Sequence, residues 1–196
     1  MAFNDRGSKN VIIYNESGVY VGDITNPLIV SEVDTAKATY SSVALNITPA
    51  TTPTDMFTIT GSATKTIRVQ RISISGTQTT AAIRDILFIK RSTANSAGTS
   101  TTLTAVPHDS LSAAATATVR SYTANPTLGN TVGTVRVAKL LIAATSVAVA
   151  ESVFDWGPRY GQSIVLRGTG EVFSINLNSI TSTGGSFTFS IEWTEE

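Results

Sequence analysis

Phe187-Thr188-Phe189-Ser190-Ile191-Glu192-Trp193-Thr194 sets a large apolar residue at every second position and a polar one between. Side chains along an extended strand point alternately to opposite faces. The spacing therefore predicts a strand with one face in a core and the other toward water. Residues 163–166 and 172–177 repeat this grammar just upstream, with turns at Gly168-Thr169-Gly170 and Thr183-Gly184-Gly185 between the three.

Further upstream, Phe57 and Ile59 alternate toward Gly61. Ile67 and Val69 share one parity, Ile72 and Ile74 the other, so a bulge near Gln70-Arg71 is needed to turn both pairs inward. Residues 83–90 form a dense apolar run, expected as a central strand buried on both faces. Residues 113–122 read as a weaker strand rich in alanine and threonine, 147–154 as another strand, and Asn125-Pro126 with Leu128-Gly129-Asn130 as a turn. Alanine is dense over residues 111–119, but Thr116, Thr118 and Val119 are β-branched and argue against a helix. Many short strands with turn chemistry between them predict an all-β fold, an antiparallel β-sandwich of jelly-roll type.

The first residues differ. Val11-Ile12-Ile13-Tyr14 and Val19-Tyr20-Val21 flank Asn15-Glu16-Ser17-Gly18, the pattern of a hairpin. An isolated hairpin is marginal in water, so it must pack on its own domain or on a neighbour. The expected organisation is an N-terminal β-hairpin arm over 1–35, a linker over 36–55, where Pro49 and Pro53 sit among threonines, and a β-sandwich over 56–196.

Composition narrows the function. The chain has 196 residues, enough for a sizeable core without staples, and no cysteine. Its 14 basic and 14 acidic residues cancel, so the basic excess expected of a nucleic-acid binder is missing. Charged residues make up 14%, below the roughly 25% usual for soluble domains. Serine and threonine, roughly a quarter of the chain, take their place. A weakly charged surface resists association less, which suits a subunit covered by neighbours. The start of the chain lacks the pattern of a secretion signal, and residues 135–150 are too short and interrupted to span a membrane.

Catalytic chemistry is hard to place. His108, the single histidine, is followed directly by Asp109 and Ser110, and adjacent residues do not converge as a triad requires. With no cysteine and one histidine, no metal or cofactor is expected. Asp155 and Glu171 could be named as an acid pair, yet nothing in the sequence brings them together. Glu192, Glu195 and Glu196 read as a solvated end. The most distinctive loop is Phe154-Asp155-Trp156-Gly157-Pro158-Arg159-Tyr160-Gly161. Trp156, Arg159 and Tyr160 suit a protein interface or a sugar platform, or else Trp156 closes a packed corner.

Several stretches carry a resemblance: Asp55-Met56-Phe57-Thr58-Ile59-Thr60-Gly61-Ser62, Lys90-Arg91-Ser92-Thr93-Ala94-Asn95-Ser96, Ala105-Val106-Pro107-His108-Asp109-Ser110, Gly161-Gln162-Ser163-Ile164-Val165-Leu166-Arg167-Gly168 and the closing strand. Together they resemble virion-associated structural proteins of tailed bacteriophages. Asn26-Pro27-Leu28-Ile29-Val30 is similar to the end of the short arms that open some phage head and tail proteins. The resemblance implies a non-enzymatic capsid decoration or cement protein, made in the bacterial cytoplasm and carried on the virion. Its partners would be the major capsid protein or other virion proteins, and its own copies as a dimer or trimer. Ile12, Tyr14, Val19 and Tyr20 would be the contacts of the arm. A tail, collar or fibre-base component and a carbohydrate-binding host-attachment module are the alternatives.

Overall fold

The computed structural model describes residues 37–156 and 162–196, with the backbone of two short strands before them, β1 (Ile13–Tyr14) and β2 (Tyr20–Val21). The chain divides into two units, Met1–Ala36 and Lys37–Glu196. In the first, β1 and β2 form an antiparallel hairpin with Ile13 opposite Val21 and Tyr14 opposite Tyr20. Ile12 and Val19 lie outside the described residues.

The second unit is all-β. Its strands are β3 (Ala38–Ile47), β4 (Asp55–Thr60), β5 (Ile67–Gln78), β6 (Ala82–Arg91), β7 (Thr99–Leu103), β8 (Val106–Pro107), β9 (Thr118–Ala124), β10 (Thr131–Ala144), β11 (Ser152–Asp155), β12 (Ile164–Leu166), β13 (Val172–Asn176) and β14 (Ser186–Glu195). No helix occurs among the described residues. The main path runs β7-β9-β4-β13-β6-β10-β5-β14-β3-β8, and β11 and β12 both pair with β5. Among the described residues every strand pairing is antiparallel except one. β10 meets β5 in parallel at Ala143 and Ala144, and this short junction joins two wings. The sheet is mixed and curls into a half-barrel, consistent with the jelly-roll-like β-sandwich expected from the sequence.

Aromatic rings fill the space between the wings. Phe57 of β4 stacks on Phe189 of β14 at 5.3 Å, and Phe88 of β6 meets Phe154 of β11 at 4.7 Å. Phe187, Phe189, Ile191 and Trp193 are all at most 1% exposed, as their alternation predicts. The bulge in β5 is present: Trp193 faces Val69 and Glu192 faces Arg71, leaving Gln70 unopposed. One extra residue reverses the parity, so Ile67, Val69, Ile72 and Ile74 all reach the core.

Three expectations change. The segment expected as a linker, 36–55, contains β3, a ten-residue strand paired with β14. Its inward residues are Tyr40, Ser42 and Ala44, while the apolar Val43 and Leu45 are exposed, so after Tyr40 the apolar positions do not mark the buried face. Tyr40 stacks on Trp193 and donates its hydroxyl to Ala113 O, while Ser42 donates to Thr104 O. The strand expected over 147–154 is limited to Ser152–Asp155. In β6, Ile86 and Phe88 are buried, but Ile83 is 62% exposed, so the run is not covered on both faces throughout.

Candidate functional site

A β-bulge builds the first part of the site. Ile175 faces Phe57 and Asn176 faces Asp55, so Met56 is the extra residue in β4. Phe57 and Met56 both enter the core, and Asp55 is turned to the outer face beside Asn176. There Asp55 receives both arms of Arg91, Nε to Oδ2 and Nη2 to Oδ1, each at 2.8 Å. Asn95 Nδ2 and Asn176 Nδ2 donate at 2.8 and 2.7 Å. Burial alone pushes the Asp55 carboxyl up, but these donors and the guanidinium charge together hold it below its usual range.

This ion pair fastens the loop above it. Arg91 Nη1 donates to Gly129 O and Thr131 Oγ1, and Asn95 Oδ1 accepts from Gly129 N–H. Ser96 and Thr127 exchange two backbone bonds, and Thr93 Oγ1 accepts from Asn130 N–H. Residues 92–98 are thereby pinned over the outer face of β13 and β4. The loop ends in two left-handed residues, Ala97 at φ 52° and Gly98 at φ 72°. An alanine held there is strained by about 1–2 kcal/mol. A side chain on Gly98 would collide at 2.9 Å with the carbonyl oxygens of Ala124 and Asn125.

Beside the loop opens a cleft of about 510 Å³. Thr58 and Thr60 of β4 and Thr118, Arg120 and Tyr122 of β9 form its floor, and Ser100 of β7 and the loop at Asn95, Ser96 and Ala97 its walls. Register explains the grouping: Thr58 lies opposite Arg120, Thr60 opposite Thr118 and Ser100 opposite Tyr122, all on the face away from the core. Arg120 reaches Ser100 Oγ at 3.3 Å, and among the described residues it has no carboxylate within ion-pair distance. Burial holds the Tyr122 phenol above its ordinary value, so it is neutral at physiological pH.

The residues singled out in the sequence lie elsewhere. Trp156 is half-buried, edge-on to Phe88 and Phe173 at 5.1 and 5.3 Å and stacked near Phe154, the packed-corner arrangement. Arg159 and Tyr160 fall outside the described residues. His108 is exposed, and Asp109 Oδ1 caps a turn by accepting from Leu111 N–H. Asp155 is engaged by Arg71 and Glu171 by Lys90. No group of metal-ligating side chains converges among the described residues. Glu195 is a correction: rather than solvated, it is 3% exposed. Its carboxylate accepts from Thr116 N–H and Oγ1, Ala117 N–H and Trp193 Nε1. Those bonds hold residues 116–117 off the sheet ladder, so β9 starts at Thr118 rather than at 113.

The cleft was missed because its parts come from three strands and a loop far apart in sequence. One trace was visible: Thr118-Val119-Arg120-Ser121-Tyr122 alternates polar or amphipathic residues with inward ones.

The outer face of β6 and β10 is different in character. Leu141, 69% exposed, lies opposite Ile83, and Val137, 59% exposed, opposite Leu87. On its other side β10 has ladder partners among the described residues only at Ala143 and Ala144. Comparison with known protein families, with curated proteins and with solved structures returns no match.

Proposed function

We propose that this chain is a structural subunit of a tailed-phage virion, seated on the head as a decoration protein. The observation that carries the reading is the exposed apolar pair Ile83 and Leu141, with exposed Val137 beyond the intervening Asp85–Lys139 ion pair, beside the edge of β10 that is unpaired before Ala143 among the described residues. An apolar patch of this kind on a soluble domain marks a surface that another protein covers. An open strand edge offers unpaired N–H and C=O groups to a further strand. The hydroxyl-rich, weakly charged surface and the family resemblance point the same way. The major capsid protein is the proposed partner, with further copies of the chain completing a dimer or trimer. Ile12, Tyr14, Val19 and Tyr20 remain the proposed contacts of the arm.

The test uses particles that lack the chain. Wild-type protein should co-sediment with them, and Ile83→Glu/Leu141→Glu should not. Both positions are exposed, so the double variant should keep its stability to within about 1 kcal/mol. Equal co-sedimentation of the two proteins would exclude the patch as the docking surface. Cryo-electron microscopy of decorated particles distinguishes head from tail attachment.

A further inference from the structure

We propose that the cleft between β4, β9 and residues 92–98 binds a sugar carrying a carboxylate. The charge is the first argument. The buried guanidinium of this sheet, Arg91, is fully matched by Asp55, two carbonyl or hydroxyl acceptors and the cover of the loop. Arg120, on β9 three strand steps away, has neutral neighbours: Thr58 opposite it on one side, Thr102 on the other, and Ser100 as its only hydrogen-bond partner among the described residues. A guanidinium presents a planar fork of donors that fits a carboxylate in bidentate fashion. One free cation matches one negative charge. A phosphate site of the usual kind would call for a nest of backbone N–H groups or a helix start, and the floor here is flat sheet.

The lining is the second argument. Thr58, Thr60, Ser96, Ser100 and Thr118 present hydroxyls, which both donate and accept, and Asn95 adds an amide. This is the complement of a polyol ring. The apolar pockets that would select peptide side chains are missing from the lining, where Val172, Ala94 and Ala97 are the apolar members. At about 510 Å³ the space exceeds what a bare carboxylate fills and lies within the roughly 300–1,000 Å³ range of ligand sites.

Preorganisation is the third. The buried Asp55–Arg91 pair anchors the wall through Asn95, and the wall carries a non-glycine residue in left-handed conformation. Strain of this kind persists where the surroundings enforce it, and it gathers at binding sites. The inference does not depend on how the protein is seated on a particle.

The experiment is an amide-resolved NMR titration of the full chain with D-glucuronate, with D-glucose and sodium acetate as separate arms. Glucuronate should shift the amides of Thr58, Thr60, Ser100, Thr118 and Tyr122, with a dissociation constant on the order of 1 mM. Glucose and acetate should each bind about tenfold more weakly or worse, because each lacks half of the recognition. Arg120→Gln should abolish the shifts while amides elsewhere keep their positions. Arg120→Lys, which keeps the charge and loses the fork, should weaken binding about tenfold. The proposal is overturned if glucuronate leaves the cleft amides unmoved, if glucose or acetate binds as tightly, or if Arg120→Lys, or a folded Arg120→Gln, binds like wild type.

Discussion

Replacing Arg91 by methionine isolates what the ion pair does. The substitution removes two bonds to Asp55 at 2.8 Å each and the bonds to Gly129 O and Thr131 Oγ1 at 3.0 and 2.8 Å. Asp55 stays buried with only Asn95 and Asn176 to hold it. Removing one partner of a buried pair costs about 3–5 kcal/mol, against a net domain stability of about 5–15 kcal/mol. For a unit of this size each kcal/mol moves Tm by roughly 2–4 °C, so a fall of about 6–20 °C is expected. The pH dependence gives a second signature. In the native protein Asp55 has a depressed pKa, so its contribution is complete above the unfolded value near 4 and is lost as pH falls through the folded value. In Arg91→Met desolvation dominates, the Asp55 pKa rises above the unfolded value, and stability should fall as pH rises from about 5 to 7. The double variant Asp55→Leu/Arg91→Met buries no charge and should recover about 1–3 kcal/mol relative to Arg91→Met. Circular-dichroism melts of wild type, Arg91→Met, Asp55→Leu and the double variant at about pH 5 and pH 7 complete the cycle. An Arg91→Met melt within about 2 °C of wild type, or strict additivity in the cycle, would refute the reasoning.

Glu195→Gln sets an amide NH2 where a carboxylate oxygen now faces N–H donors, and should cost about 1–3 kcal/mol by urea unfolding. Burial raises the Glu195 carboxyl, but the donors from Ala117, Thr116 and Trp193 bring it below its usual range, so the native contribution is lost as pH falls through that lowered value. The glutamine variant should show less loss over the same interval, and identical acid limbs would count against the assignment. Gly98→Ala places a Cβ at 2.9 Å from two backbone carbonyls in a left-handed residue. It should lower stability by about 1–3 kcal/mol and broaden the amide signals of residues 92–98 in NMR spectra; an unperturbed loop would show that the rim is not rigid.

What the sequence showed and what it concealed follow from the range of each interaction. The last strand and the bulge at Gln70 are written in local parity, and both are found in the structure. The bulge at Met56 left no such trace, because Asp55-Met56-Phe57 looks like ordinary alternation until Asn176 takes its place opposite Asp55. β3 was hidden for a related reason: its inward positions carry Tyr40, Ser42 and Ala44, and their burial rests on Trp193, Ala113 and Thr104, all distant in sequence. Glu195 looks like a chain-end charge until residues 116–117 are folded against it. Polar groups whose partners lie 36 to 121 residues away carry no local signature, and the cleft is assembled from such groups.

The apolar row and the cleft lie on the outer face of the same wing, yet they need not compete for one partner. The cleft is centred on β9 and β4, the row on β6 and β10, with β13 between. From β4 to β10 there are three strand steps, about 14 Å at ~4.8 Å each. Neighbouring strands rotate by about 20–25°, so three steps turn the outward direction through about 60–75° before curling is counted. A surface that seats Ile83 and Leu141 therefore meets the wing at β6 and β10 and leaves the mouth near Arg120 facing sideways. Attachment and ligand capture are then separable on one chain: Ile83→Glu/Leu141→Glu should lose the particle and keep glucuronate, whereas Arg120→Gln should do the reverse.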